Sequence, residues 1–303
     1  MFDEPYRWID AIHQRRDYIA EQLDRATPVV GISVSEGILL ASFHRQNPKI
    51  YELYDRIAMG GIGHPADLET MRGVLLNMAH VEGFQRSSTD VSIERMALFG
   101  LAPRLKAAFE DVSAPPIILD VLLSEVGKTF RDDRFIQVSF DGNLQRAADM
   151  MVLAPTEEME EKMTGLLRDR IPTGERTLGQ VLPVVSRVFM DTLFSPEELG
   201  MDESGNLISP EKLSECESRL FDDRHWEGVL LDRNAPARIK KVAYSGDKSD
   251  REWRGKLLSR EIRLSLIIEA PTRPAPEKIC RVTRKATRGS SPLSLKGKFL
   301  GTE

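Results

Sequence analysis

The sequence predicts an α+β fold of four layers, αββα, in which two antiparallel sheets pack face to face with helices on both outer surfaces and one further helix in front. Three observations point there. Apolar patterning runs in the order helix, strands, two helices, strands, two helices, strand. Each strand group feeds a pair of helices instead of alternating with them, which disfavours a dinucleotide-binding fold. The strands within a group are separated by short turns, as antiparallel neighbours allow.

Ile9–Arg25 places Ile9, Ile12, Ile19 and Leu23 among Arg15, Arg16, Asp17 and Glu21, an amphipathic helix closed by Pro28. Thr27–Gly63 follows as three short strands. Val29–Val34 is apolar and β-branched, Ser35-Glu36-Gly37 turns, and Ile38–Phe43 is a second apolar run. A polar loop, His44–Pro48, leads through Lys49 and Ile50 to Arg56–Ile62, which ends in glycines. Pro65 opens a helix to about Gln85, carried by Leu68, Met71, Leu75, Met78 and Ala79. Ser87–Asp90 is a capping cluster for a second helix to about Glu110, with a kink or break at Pro103.

Strands return at Ile117–Val126, Phe135–Phe140 and Met150–Leu153. Pro155-Thr156-Glu157-Glu158 supplies the acidic first turn of a helix to about Arg170, and Thr177–Phe194 is another helix. Ser195–Asp223 is a polar stretch with a short helix from Pro210, and Trp226–Leu231 is the last clear strand. Composition divides the chain into 1–26, a leading segment and helix, 27–237, the sandwich, and 238–303, a basic, partly disordered extension. The last part holds 17 Lys/Arg against 7 Asp/Glu, while residues 1–237 hold 25 against 40.

The chain has 303 residues, 41% hydrophobic and 29% charged, with a net charge of −5. That balance is expected of a globular protein and argues against general nucleic-acid binding. No apolar run approaches the roughly 20 residues of a membrane span, and the acidic start lacks a signal core. Cys216 and Cys280 have neither metal-ligand spacing nor the number for a disulfide framework, so a reducing cytoplasm is expected. The five histidines show no metal-binding pair, and Gly60-Gly61-Ile62-Gly63 lacks the Lys-Ser/Thr of a phosphate loop. Its glycines read as close packing before a helix. No cofactor is expected.

Several weak features, in order, resemble the α subunit of the bacterial 20S proteasome, whose fold is of the N-terminal-nucleophile hydrolase type. They are Arg15-Arg16-Asp17 with Arg25-Ala26 before Val29-Val30, KIYELYDRIAMGGIG (Lys49–Gly63) before the helix Leu68–Arg86, and EGVLLDRNAPARIKKV (Glu227–Val242). The resemblance covers roughly Ile9 to Val242. It implies a non-catalytic subunit in a ring of seven copies, stacked on a ring of proteolytic β subunits. That ring gates substrate entry and docks a hexameric AAA ATPase or another ring activator. On this resemblance Ile9–Arg25 is the ring-facing helix, and Met1, Phe2, Asp3, Glu4, Pro5, Tyr6, Arg7 and Trp8 form the gate segment. The Tyr-Asp-Arg gate motif of archaeal and eukaryotic relatives is missing there, and Tyr54-Asp55-Arg56 lies too late to be it. Lys49 matches a lysine in the pocket between adjacent subunits, where it pairs with the C-terminal carboxylate of an activator tail whose apolar residues provide the remaining contact.

A competing reading makes Thr27 a nucleophile released by self-processing, its amine serving as base, with Lys49 beside it. Phe43 stands where that chemistry needs an aspartate, Leu153-Ala154-Pro155-Thr156 replaces a Gly-Ser-rich segment, and the bond to be cut is Ala26-Thr27-Pro28 instead of one after glycine. A further reading is a proteasome-like homo-oligomer with no β partner.

Overall fold

A computed structural model describes residues 5–201, 209–234 and 241–245. Helix α1 (Pro5–Leu23) starts four residues earlier than the sequence predicts. One side of it is anchored. Ile19 and Leu23 are buried, Arg15 donates to Ala114 O (2.9 Å) and Ala108 O (2.7 Å), and the Arg16 guanidinium sits over the rings of Phe109 and Phe140. Trp8, Ile9 and Tyr18 are exposed.

Four strands follow where three are predicted: β1 (Val29–Val34), β2 (Gly37–His44), β3 (Ile50–Tyr54) and β4 (Ile57–Gly63). Tyr54-Asp55-Arg56 spans the β3–β4 turn. Helix α2 (Pro65–Gln85) is capped by His64, whose Nδ1 accepts from Ala66 N. The next helical stretch is composite: a 3₁₀ turn (Ser88–Asp90), α3 (Ile93–Arg95), a π segment (Met96–Leu101) and α4 (Ala102–Glu110). Pro103 neither breaks the helix nor leaves its carbonyls bare. It lacks the N–H that would bond Phe99 O and its ring crowds that carbonyl. The wider π turn absorbs the clash, and Arg104 Nη1 donates to Phe99 O (3.3 Å) and Gly100 O (2.8 Å).

Then come β5 (Leu119–Glu125), β6 (Arg134–Val138), β7 (Leu144–Ala147), β8 (Met150–Leu153), α5 (Glu157–Arg170), α6 (Leu178–Leu193), α7 (Pro210–Asp223), β9 (His225–Asp232) and β10 (Lys241–Ser245). Strands β7 and β10 are absent from the sequence prediction. β10 pairs with β9, so this sheet continues past residue 237, where composition placed a boundary. The rest of the basic extension, 238–240 and 246–303, and residues 1–4 of the gate segment lie outside the described residues.

The strands form two five-stranded antiparallel sheets, ordered β10-β9-β2-β1-β8 and β3-β4-β5-β6-β7. Three apolar clusters hold the elements. Val29, Leu40, Met151 and Val229 of the first sheet meet Ile50, Ile62, Leu122 and Phe135 of the second. The other side of the first sheet, through Val30, Ile32, Phe43 and Val152, packs on Met163, Leu167, Val185 and Phe189 of α5 and α6. The second sheet, through Met59, Val121 and Ile136, packs on Leu68, Leu75, Met96 and Leu105. Strands covered on both faces read as continuous apolar runs, as β1 and β2 do. The glycine run fits this packing: a Cβ on Gly60 would lie 2.6 Å from Val29 Cγ1, and one on Gly61 2.3 Å from Leu68 Cδ1.

Far from the start of β1, a buried ion pair ties the sheets together. The Arg233 guanidinium donates to both oxygens of Asp133 (2.8 and 2.9 Å), and Gly127 N and Ser33 Oγ donate to the same carboxylate. Arg233 also reaches Val34 O and Gly127 O. Asp133 is fully buried, so each donor offsets part of its desolvation.

Candidate functional site

The chain leaves α1 through a tight turn, with Ala26 N donating to Leu23 O (2.8 Å), and enters β1 by way of Thr27 and Pro28. Thr27 is buried, and its hydroxyl donates to Phe43 O at the end of β2. The Phe43 ring points the other way, edge-on to Phe189 (5.3 Å) and Trp226 (5.1 Å). An aspartate in that position would lose this aromatic packing and be buried away from Thr27.

Lys49 stands at the end of the loop between β2 and β3. Its ammonium donates to Thr27 Oγ1 (2.6 Å) and Thr27 O (3.0 Å). Its backbone is held as firmly. Glu227 of β9, paired in register with Ser42 of β2, is 5% exposed, and its carboxylate accepts from Lys49 N (2.8 Å) and Ile50 N (3.2 Å). Gly61 N donates to Lys49 O (3.0 Å). Glu227 thus fixes where the second sheet begins against the first.

The electrostatics follow from this packing. Burial, then the nearby Arg224 charge, push the Lys49 ammonium down to about 8, and Glu227 opposes them. His44 and His225, paired in register with rings 5.6 Å apart, lie beside it. Burial lowers the His44 pKa, and His225 and Lys49 lower it further. Lys49 makes no ion pair with a carboxylate among the described residues, and its third N–H is left for a ligand. A cavity of about 450 Å³ opens there, lined by Thr27, Lys49, Arg25, Arg45 and Arg224, with Gln46 and Asn47 on the loop. Ala26, Gly63 and Pro65 also line it.

The structure therefore joins Thr27 to Lys49 and separates both from the gate segment. Of that segment, Pro5–Trp8 are the first turn of α1. The cavity lies at the other end of the helix, which is about 28 Å long at 1.5 Å per residue. Sequence reasoning missed Glu227 and Arg224. The available signal was Glu227 itself, a carboxylate on the same strand face as Val229 and Leu231, which a buried partner must satisfy.

Among the described residues, no group of three or more His, Cys, Asp or Glu is placed to hold a metal ion, and no helix is long and apolar enough to cross a membrane. No family model matches the chain. Curated proteins do. It is 30% identical to the proteasome subunit alpha of Frankia alni over 202 residues, 65% of this chain and 78% of that protein. It is 28% identical to that of Sanguibacter keddieii over 236 residues, covering 76% and 81%. It is 27% identical to that of Parafrankia sp. over 187 residues, covering 60% and 72%.

Proposed function

The chain belongs to the proteasome α-subunit family, and from that membership we propose that it forms the outer ring of a cytoplasmic proteasome core, gating substrate entry and docking an activator. Peptide-bond hydrolysis falls to a separate β subunit. Seven copies per ring, a hexameric ATPase as activator, and 1–8 as the gate are parts of this reading. So is the four-layer αββα arrangement, which the three apolar clusters support. The exposed Trp8 and Tyr18 of α1 suit a helix that meets neighbouring copies.

One observation carries the docking role: the Lys49 ammonium, tethered to Thr27 and without a carboxylate ion pair among the described residues, faces a cavity. A terminal carboxylate supplies the missing anion through a charge-assisted hydrogen bond. The Thr27 bonds fix the donor's direction before the ligand arrives, so little side-chain entropy remains to be lost.

Lys49→Ala, expressed with a proteasome β subunit, tests this. Native mass spectrometry should find the ring assembled, and degradation stimulated by the activator should be lost. Unchanged stimulation rejects the role. Intact mass addresses the competing chemistry: loss of 1–26 from the mature chain would make Thr27 an N-terminal nucleophile.

A further inference from the structure

Between the sheets lies an acid that plays no part in docking. Asp120 of β5 and Gln137 of β6 are two positions from Leu122 and Phe135, which face the first sheet, so both share that inward face. The register pairs Leu122 with Gln137, which makes Asp120 and Gln137 diagonal neighbours. Asp120 is 7% exposed, and its carboxyl accepts one hydrogen bond among the described residues, from Phe140 N (2.6 Å). Gln137 is buried too. Its Nε2 donates to Glu160 Oε2 of α5 (3.5 Å), while its Oε1 is buried with no hydrogen-bond partner among the described residues. Because α5 covers the first sheet, the Gln137–Glu160 contact runs from one sheet to the cover of the other.

A buried acceptor lacking a donor, next to a buried carboxyl short of donors, is satisfied by one proton. The charges around Asp120 favour keeping it. They are Asp141, just past β6, and Glu160, both acids, with Glu157 and Glu161 acting on Glu160 in turn. Arg16 of α1 is engaged by Asp141 (3.1 Å), and Asp67 of α2 by Ile118 N (3.0 Å). Strands β1, β4 and β8, which pack against β5, carry no titratable residue, and α3 meets the other end of β5, where Ile93 N donates to Glu125. Burial first, then the two acids, push the Asp120 carboxyl up to about 7 against the Phe140 N–H, which favours the ion. Burial raises Glu160 as well.

We propose that Asp120 keeps a proton and donates it to Gln137 Oε1, closing a clasp, Asp120–Gln137–Glu160, that holds the start of α5 to the second sheet and opens when the proton leaves. Loss of the proton strands the Gln137 oxygen again and sets a buried anion against Glu160. The start of α5 is the side that yields, since Glu157, Glu158 and Glu161 are exposed there, whereas Asp120 and Gln137 sit in paired strands.

Stability of the full-length chain against pH tests this. An acid whose pKa is higher folded than unfolded binds more protons when folded. Its contribution is therefore full at acid pH and is lost as pH rises from the ordinary carboxylate range to about 7. Asp120→Asn keeps the shape and supplies a permanent N–H donor. Its folding equilibrium constant should gain on wild type by about tenfold per pH unit between about pH 5 and about pH 7, then run parallel. Glu160→Gln removes the neighbouring anion and should move the loss to lower pH without abolishing it. Hydrogen exchange, corrected for the intrinsic rate at each pH, should show amides 160–164 losing protection through neutral pH in wild type and not in Asp120→Asn. Infrared difference spectra on the acid side of neutral should show a protonated-carboxyl band that Asp120→Asn removes. A constant gap between Asp120→Asn and wild type overturns the proposal, as does a band that Glu160→Gln removes and Asp120→Asn does not. If the band is present but amides 160–164 keep their protection, the proton stands and the clasp is overturned. Should Asp120→Asn fail to fold, the other two curves decide: the same fall at the same pH in wild type and Glu160→Gln overturns the proposal.

Discussion

Replacing Glu227 tests whether the lysine is held by the opposite sheet. In Glu227→Ala, the amides of Lys49 and Ile50 lose their acceptor in a place closed to water, since Ile50 is 1% exposed. A hydrogen bond to a charged group contributes about 1.5–3 kcal/mol. Two of them set a loss of about 3–6 kcal/mol, reduced by whatever the buried carboxylate cost in desolvation. At about 2–4 °C per kcal/mol for a chain of this size, the melting midpoint should fall by roughly 6–24 °C before that reduction.

A second readout belongs to function. Burial and Arg224 depress the Lys49 pKa, and Glu227 is the group that raises it. Without Glu227 the ammonium loses its proton at lower pH. Binding of a peptide carboxylate needs the charged lysine, so wild-type affinity should fall as pH rises through about 8, or higher to the extent that the bound anion stabilises the charge. In the variant that fall moves to lower pH. Glu227→Gln removes the charge but keeps one acceptor oxygen, so it should show the same displacement of the pH limb with a smaller loss of stability. Peptide affinity measured across this range, with scanning calorimetry on the same particles, decides. A Glu227→Ala particle that melts within about 2 °C of wild type and keeps its pH limb would refute the reasoning.

Other perturbations separate packing from function. Asp133→Ala should cost about 3–5 kcal/mol by stranding the nearly buried Arg233 guanidinium. Adding Arg233→Ala should cost much less than the sum of the two, and additive costs in denaturant titrations would contradict the pairing. Gly63→Ala should destabilise by about 1–3 kcal/mol, since its φ is +131° and a Cβ would lie 2.1 Å from Ile118 O. Gly165→Ala, at an exposed position of α5 with nothing within 4 Å of the added methyl, should instead stabilise by about 0.5–1 kcal/mol. Equal melting midpoints for these two variants would overturn the backbone argument.

The strands absent from the sequence prediction share a physical cause. β3, β7 and β10 are edge strands. β3 has only Ile50 and Leu53 buried, β7 reads Leu-Gln-Arg-Ala with no buried residue, and β10 begins with a lysine. An edge strand is held by backbone hydrogen bonds on one side only and can do with few buried apolar residues, and polar or charged side chains there discourage pairing with other chains. Periodicity therefore has little to register. β8 is also an edge, yet all four of its residues are buried, and it was legible. The start of α5 was legible too, because Thr156 accepts from Met159 N and the first turn is acidic.

The site divides along the same line. Lys49 came from family resemblance, whereas its supports came only with the fold. Glu227 is 178 positions away and reaches it because β9 pairs with β2. No local pattern encodes that neighbour. Thr27 is the instructive case, since the sequence offered it two roles with the same partner. In the structure its nitrogen is an amide joined to Ala26, at the exit of a helix whose Ile19 and Leu23 are buried in the core between the sheets. An amide nitrogen cannot serve as the base that an N-terminal threonine supplies. The hydroxyl proton already goes to Phe43 O, and the lysine donates to the oxygen instead of drawing a proton from it. What a free amine would make a nucleophile and its lysine, the intact peptide bond makes an ammonium and its tether. A tethered ammonium with no ion-pair partner among the described residues is suited to holding an anion.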